Sequence, residues 1–153
     1  MKENVGYSRK FDFEATILEL ADDVDLTNFR GQARLTRATQ GVYIQGRFTG
    51  EQSAECVRCL AEFQLPLKTQ IEQLYEYPPT LKAEFVVAET GFLDLAPLLR
   101  EDFLLAAPMR PLCRPDCKGL CPNCGQNWNE GPCDCEQEEI NPRLAVLKKL
   151  LDP

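Results

Sequence analysis

The chain carries the motif Cys56-Val57-Arg58-Cys59, and after a long gap six more cysteines follow within a 23-residue window. These six are Cys113, Cys117, Cys121, Cys124, Cys133 and Cys135. Two cysteines separated by two residues can present both sulfurs to one metal ion of tetrahedral preference. Eight thiols are enough for two all-sulfur sites, so the sequence predicts one or two bound zinc ions that organise the second half of the chain.

Two groupings of the eight thiols are possible. In the first, Cys121, Cys124, Cys133 and Cys135 close locally on one ion, while Cys56, Cys59, Cys113 and Cys117 form a second, long-range site. In the second, Cys113, Cys117, Cys121 and Cys124 share one ion, and Cys56 and Cys59 join Cys133 and Cys135. We favour the first grouping because residues 118–120 separate Cys117 from Cys121.

The strongest local signal is the C-P-x-C-G motif at residues 121–125, where Pro122 and Gly125 shape a tight turn. A rubredoxin-like iron site is an alternative, but only one such motif is evident, so we expect zinc rather than iron. Free buried thiols are the remaining alternative. Four protein ligands leave no open coordination position, which argues against hydrolytic zinc catalysis. We expect Trp128 to pack over this loop.

Composition indicates a globular protein with a single domain over residues 1–153. The chain is 44% hydrophobic and 27% charged. Residues 1–7 lack the apolar run of a signal peptide, and the longest apolar stretch, residues 103–107, is too short to span a membrane. We therefore expect a cytoplasmic protein without a membrane partner, in a compartment where thiols stay reduced and favour metal over disulfides.

The charge balance restricts the chemistry. The chain has 17 basic and 24 acidic side chains, a net charge of −7, and no histidine. Without histidine, Ser-His and Cys-His catalysis are excluded, and we predict no catalytic residues and no small-molecule substrate. The negative charge also disfavours nonspecific nucleic-acid binding, which depends on cationic contacts to phosphate.

Alternating apolar and polar residues make residues 1–90 mainly β. Strands are predicted at 11–17, 32–39, 42–48 and 63–71, with a hairpin turn at residues 40–41 and one further short strand at 85–87. The pair Cys56 and Cys59 falls in the turn before the last of these strands. We expect an α+β fold with a curved, barrel-like antiparallel sheet.

The second half is predicted to hold two helices around the cysteine-rich segment. The first spans residues 94–107 and begins with an Asp94 cap. Its apolar stripe at 3.6-residue spacing consists of Leu95, Leu98, Leu99, Phe103, Leu104 and Ala107. Residues 109–139 form the metal loop, because their prolines and glycines resist regular structure. A short closing helix spans residues 142–151.

Three stretches together resemble one known family. They are residues 55–60 followed by a long strand, residues 93–125, and residues 141–147. Their order and spacing are similar to those of the YceD family, the large ribosomal RNA subunit accumulation proteins. Cys56 and Cys59 match the most characteristic motif of that family, and the cysteines at 113–135 match its cysteine-rich form.

The resemblance implies a role in the synthesis, processing or stability of large-subunit (23S) ribosomal RNA. It brings no catalytic activity with it. The expected partner is a large-subunit assembly intermediate, contacted through a ribosomal protein or through rRNA. The alternative function, from a different class, is a redox-responsive or rubredoxin-like electron-transfer metalloprotein.

Overall fold

The computed structural model describes residues 4–20, 23–80 and 83–135. Four antiparallel strands form one sheet in the order β1-β2-β3-β4, with β1 at Ser8–Glu19, β2 at Asp25–Ala38, β3 at Gly41–Glu55 and β4 at Glu62–Glu76. β1, β3 and β4 contain the predicted segments 11–17, 42–48 and 63–71 and extend beyond them, whereas β2 begins before the predicted segment 32–39 and ends one residue short of it, at Ala38. Because successive strands pair with their sequence neighbours, the sheet is a simple meander, and its β3–β4 turn carries Cys56 and Cys59.

The sheet is not closed, so the prediction of a barrel-like sheet was wrong in that respect. In the described part of the chain, β1 pairs with β2 alone and β4 pairs with β3 alone among the named strands. Four strands are too few to enclose side chains, since about eight are needed before a barrel has a filled interior. The apolar face of the sheet is covered instead by a helix.

The covering helix, α1, spans Ala96–Ala106 and lies within the predicted range. The N-cap residue is Leu95, not the predicted Asp94, and it makes no side-chain cap bond. The Asp94 carboxylate still accepts a hydrogen bond of 2.9 Å from the backbone N–H of Ala96. Leu98, Leu99 and Phe103 are buried against the sheet. Leu104, which the predicted stripe included, is 41% exposed, because it follows Phe103 by one position and so lies at the edge of the packed face.

Aromatic rings fill the space between sheet and helix. The ring of Phe48 on β3 stacks on that of Phe29 on β2, with centroids 5.6 Å apart, and Phe29 meets Phe103 of α1 edge-on at 6.2 Å. Phe48 and Phe103 are almost completely buried. Because α1 is packed in this core, its C-terminal end has a defined position. The chain runs from that end back to the β3–β4 turn.

Two further predictions concern the rest of the chain. The predicted short strand at residues 85–87 is reduced to one parallel bridge between Val86 and Glu76. The predicted helix at 142–151, and the end of the 109–139 loop, lie outside the described residues. Within the described ranges, no helix has both the length and the apolar character needed to cross a membrane.

Candidate metal centres

The turn between β3 and β4 is a compact loop at residues 56–61, which we call the hairpin knuckle. The Leu60 N–H donates to the Cys56 carbonyl (2.8 Å), and the Cys56 N–H donates to the Ala61 carbonyl (2.9 Å). Leu60 has a φ of 58°, in the left-handed region where residues other than glycine are uncommon. These contacts bring the two sulfurs of the C-x2-C pair together at the tip of the hairpin.

A second loop, at residues 121–126, has the same geometry, and we call it the loop knuckle. Its Gly125 N–H donates to the Cys121 carbonyl (2.9 Å), the Cys121 N–H donates to the Gln126 carbonyl (2.8 Å), and Gly125 has a φ of 74°. Only the loop knuckle carries the full C-P-x-C-G motif. The hairpin knuckle, whose C-x2-C pair the sequence placed in this turn, has Leu60 at the position of the motif's glycine.

Four sulfurs meet between the hairpin knuckle and the segment that follows α1. This inner cluster consists of Cys56, Cys59, Cys113 and Cys117, whose Sγ atoms all lie within 4.8 Å of one another. Sγ of Cys56 is 3.8 Å from that of Cys117, and Sγ of Cys59 is 3.7 Å from that of Cys113. Sulfurs each ~2.3 Å from a tetrahedral zinc would be about 3.8 Å apart, so the spacing suits a zinc-sized ion.

Backbone hydrogen bonds join the two chain segments around the inner cluster. The Val57 N–H donates to the Pro111 carbonyl (3.0 Å), the Leu120 N–H donates to the Arg58 carbonyl (3.1 Å), and the Arg58 guanidinium donates to the Cys117 carbonyl (2.7 Å). Gly119, with a φ of 82°, allows this approach, because a Cβ there would stand 3.1 Å from the Arg58 carbonyl oxygen. These contacts hold the two chain segments against each other beside the inner cluster.

The remaining four sulfurs form the outer cluster, which consists of Cys121, Cys124, Cys133 and Cys135. Their Sγ atoms also lie within 4.8 Å of one another. Cys121 is buried, Cys124 is exposed, and the other two are half-buried. The structure therefore brings together the sets of the favoured grouping and not those of its rival.

The only tryptophan of the chain contacts the outer cluster directly. The Trp128 indole N–H donates to Sγ of Cys133 at 3.3 Å, and the Trp128 backbone N–H donates to the Gly119 carbonyl at 3.0 Å. The prediction that Trp128 packs over the loop did not foresee this polar contact to sulfur. The indole ring lies in position to report on the occupancy of the outer cluster.

Asn129 was missed by the sequence reasoning, and it contacts the inner cluster. Its Nδ2 donates to Sγ of Cys117 (3.4 Å) and to Oδ1 of Asn127 (2.8 Å). Its Oδ1 accepts from the Lys118 backbone N–H (2.9 Å) and from Arg114 Nη2 (2.7 Å). Asparagine is common in loops, so residue type alone gave no signal of this role.

The thiols within each cluster differ in pKa. Backbone N–H groups, foremost that of Cys113 for Cys56 and that of Cys124 for Cys121, lower the thiol pKa of each residue to about 6. Burial and then the neighbouring thiols raise the pKa of Cys113 to about 12. The adjacent Cys124 thiol and then burial raise the pKa of Cys135 to about 12. Four thiolates this close repel one another, and a divalent cation removes the repulsion.

The pKa of Cys117, a member of the inner cluster, is lowered by groups from two different parts of the chain. The hydrogen bond from the Asn129 side chain is the main cause that lowers the Cys117 pKa, and the Gly119 backbone N–H acts in the same direction against burial. The thiolate of an inner-cluster residue is thus stabilised by a side chain from the loop that closes the outer cluster.

The donor set fits a structural metal. Eight thiolates in two groups of four suit zinc, and also iron, and a closed four-sulfur shell has no position for a substrate or a reactive water. Each cluster contains one knuckle and one pair of different spacing. The fold and its clusters define a small sheet domain joined to a cysteine-rich segment that could hold two metal ions.

Comparison with known proteins gives the family. The chain belongs to the YceD family: the family model described as large ribosomal RNA subunit accumulation protein YceD matches residues 44–151. That range contains the hairpin knuckle, α1 and all eight cysteines. The family description names the accumulation of a ribosomal RNA and no reaction.

Individual relatives are mostly uncharacterized. An uncharacterized protein of Mycobacterium tuberculosis (strain H37Rv) is 33% identical over 128 residues, which cover 78% of this chain and 60% of the relative. The uncharacterized protein YlbN of Bacillus subtilis is 26% identical over 153 residues, with 94% and 89% covered. The large ribosomal RNA subunit accumulation protein YCED homolog 1 of Arabidopsis thaliana chloroplasts is 31% identical over 79 residues, with 52% and 22% covered.

The chain spans about 60% of the length of the Mycobacterium tuberculosis relative. No solved structure matches this chain.

Proposed function

We propose that this protein is a noncatalytic ribosome-biogenesis factor that supports the synthesis, processing or stability of 23S rRNA. The observation that carries this proposal is the family match over residues 44–151, whose description names large ribosomal RNA subunit accumulation. The name of the chloroplast relative supports the same direction. We further propose that zinc, held by the inner and outer clusters, joins the cysteine-rich segment to the sheet; the sulfur spacing of the inner cluster supports this part.

In this proposal zinc would have a structural role. Bound at each cluster, it would neutralise part of the thiolate charge and hold two chain segments together. The inner cluster would tie the β3–β4 hairpin to the segment after α1, and the outer cluster would close the loop between Cys121 and Cys135. The protein's own backbone N–H groups prepare Cys56 and Cys121 as thiolates for this task.

A basic protein partner fits the charge at least as well as bare rRNA. The chain has a net charge of −7, and each four-thiolate zinc site adds −2, which brings the loaded protein to −11. Complementary charge favours association with a basic ribosomal protein on a large-subunit assembly intermediate in the cytoplasm. Direct RNA binding would need local cationic contacts strong enough to overcome this charge.

Deletion of the gene tests the biological role. We expect a lower ratio of mature large-subunit to small-subunit rRNA during growth, restored by the wild-type gene. Complementation with a Cys117→Ser variant tests whether the inner cluster is needed for the role. An unchanged rRNA ratio in the deletion strain would contradict the proposal.

Metal analysis of untagged protein tests the zinc part and separates it from the second candidate function. We expect about two zinc ions per chain and no visible absorption. Iron with a red colour would favour the electron-transfer alternative. The exposure of Cys124 favours a redox-responsive protein over an electron carrier within this second candidate, because an exposed cysteine is open to oxidation. Zinc release by mild peroxide, together with an unchanged rRNA ratio in the deletion strain, would support the redox-responsive function.

A further inference from the structure

The segment at residues 127–129 reaches both cysteine clusters through neighbouring side chains. Trp128 donates to Sγ of Cys133 in the outer cluster, whereas Asn129 donates to Sγ of Cys117 in the inner cluster. Both residues belong to the loop between Cys124 and Cys133, which are both members of the outer cluster. The conformation of this loop therefore determines whether the Asn129 side-chain N–H reaches Cys117 of the inner cluster.

The orientation of the Asn129 amide is dictated by its neighbours. Its Oδ1 accepts from two donors, the Lys118 backbone N–H and Arg114 Nη2. A flipped amide would place its NH2 group against these two donors, so Nδ2 must face Cys117. Both N–H bonds of the amide are used, one to Cys117 and one to Asn127.

Asn127 completes the support for this arrangement. Its Oδ1 accepts from both the backbone N–H (3.0 Å) and Nδ2 of Asn129, and its own Nδ2 donates to Glu130 Oε1 at 3.3 Å. The Glu130 backbone N–H in turn donates to the Asn127 carbonyl at 3.0 Å. These contacts are internal to the loop, so they hold Asn129 in place once the loop itself is closed at its ends.

We propose that Asn129 couples the two clusters, so that metal at the outer cluster raises the affinity of the inner cluster for metal. The outer cluster closes the loop, the closed loop presents Asn129, and the Asn129 N–H stabilises the Cys117 thiolate as a ligand. Hydrogen bonds to ligand atoms typically change metal affinity by about 10–100-fold. Coupling of this kind is reciprocal, so the inner metal also favours the outer one.

This inference rests on the proposed binding of zinc to both clusters. It goes beyond that proposal because two independent structural sites would bind with affinities unaffected by each other. Asn129 acts here as a positioning residue for Cys117 and is not itself a ligand.

A double-mutant cycle on the full chain tests the coupling. One arm disables the outer cluster with Cys124→Ser and Cys135→Ser, the other changes Asn129→Ala, and a third protein combines them. Zinc affinity of the inner cluster is measured by competition with a chelator of known affinity. We expect each arm alone to weaken inner binding by about 10–100-fold, and the combination to add no further loss.

Two companion variants keep the test decisive. Asn129→Asp retains an acceptor for the Lys118 N–H and Arg114 but has no N–H for Cys117, so it should lose the coupling even if Asn129→Ala folds poorly. Gly131→Ala is the matched control in the same loop, because a Cβ at Gly131 meets no atom within 4 Å, and it should leave inner affinity unchanged. Far-UV circular dichroism checks that the sheet is intact in each variant.

The outcomes that contradict the inference are distinct from those that contradict the proposed function. Wild-type protein that binds no zinc would overturn the coupling and the zinc part of the proposed function, whereas only an unchanged rRNA ratio in the deletion strain would contradict the role in rRNA accumulation. Binding of two zinc ions with an inner affinity unaffected by Asn129→Asp, or with losses that multiply in the combined variant, would overturn the coupling alone. Trp128 fluorescence reports the outer cluster separately, because the indole N–H contacts Cys133.

Discussion

The hairpin knuckle and the loop knuckle are alike in backbone and different in their place in the fold. Each closes with the same two hydrogen bonds and one residue of positive φ, Leu60 in the first and Gly125 in the second. The hairpin knuckle draws its other two sulfurs from residues 54 and 61 positions away. The loop knuckle finds its partners within residues 121–135. The same tight turn therefore joins distant chain segments at the hairpin knuckle and closes a local loop at the loop knuckle.

The cysteines of the inner and outer clusters also differ in how deeply they are buried. Cys56, Cys59 and Cys117 of the inner cluster are buried, whereas Cys121 is the one buried member of the outer cluster. A metal at the inner cluster would close a long chain loop and connect the sheet to the segment after α1. Metal binding that depends on tertiary structure contributes its free energy to folding, so the two clusters should differ in their effect on unfolding.

Removal of an inner ligand should produce the largest effect. We expect Cys117→Ser to lose the inner zinc and to lower the free energy of unfolding in zinc-containing buffer by more than about 4 kcal/mol. Urea denaturation followed by far-UV circular dichroism measures this change in the sheet.

The metal-free proteins provide the control for that comparison. With a strong chelator present, wild-type and Cys117→Ser should unfold at similar urea concentrations, since only the metal distinguishes them. If the full difference in unfolding free energy between the two proteins persists in chelator, packing around the buried thiol is responsible for it. In that case metal at the inner cluster does not hold the two chain segments together.

Removal of an outer ligand should have an intermediate effect. Cys124→Ser should lose one zinc and change Trp128 fluorescence, while the sheet loses about 1.5–3 kcal/mol of unfolding free energy through the weaker inner cluster. The same denaturation assay and zinc analysis measure both consequences. A loss of unfolding free energy as large as that of Cys117→Ser would contradict the distinction between an inner cluster that joins two distant segments and an outer cluster that closes one loop.

Exchange of the positive-φ residues should produce the smallest effects, with opposite signs. A Cβ at Gly125 meets no atom within 4 Å, so Gly125→Ala adds backbone strain alone and should weaken outer zinc binding by about 1 kcal/mol. Leu60 is 56% exposed and already bears that strain, so Leu60→Gly should strengthen the hairpin knuckle by up to about 1 kcal/mol. Chelator competition on each variant measures the changes, and equal signs would show that the knuckles are not equivalent.

Much of the sheet and of α1 could be predicted because both depend on near neighbours. Alternation at 11–17, 42–48 and 63–71 identified strands, and the residues from Asp94 to Pro108 bounded the helix. The barrel-like closure was wrong because strand number and edge pairing are properties of the whole sheet. Alternation shows only that one face is apolar; it does not say whether a neighbouring strand or a helix covers that face.

Residue spacing indicated two sets of thiols and favoured the sets that the structure brings together, since the spacing at 121–135 permits local closure and residues 118–120 separate the rest. That Leu60 takes the place of glycine in a knuckle, and that Asn129 reaches Cys117, became evident from the folded chain. The difference lies in the distance along the chain over which each feature forms. Tight turns are governed by the sterics of adjacent residues, whereas the meeting of residues 56–59 with 113–117 depends on strand length, on the return through α1 and on the hydrogen bonds that align the two segments.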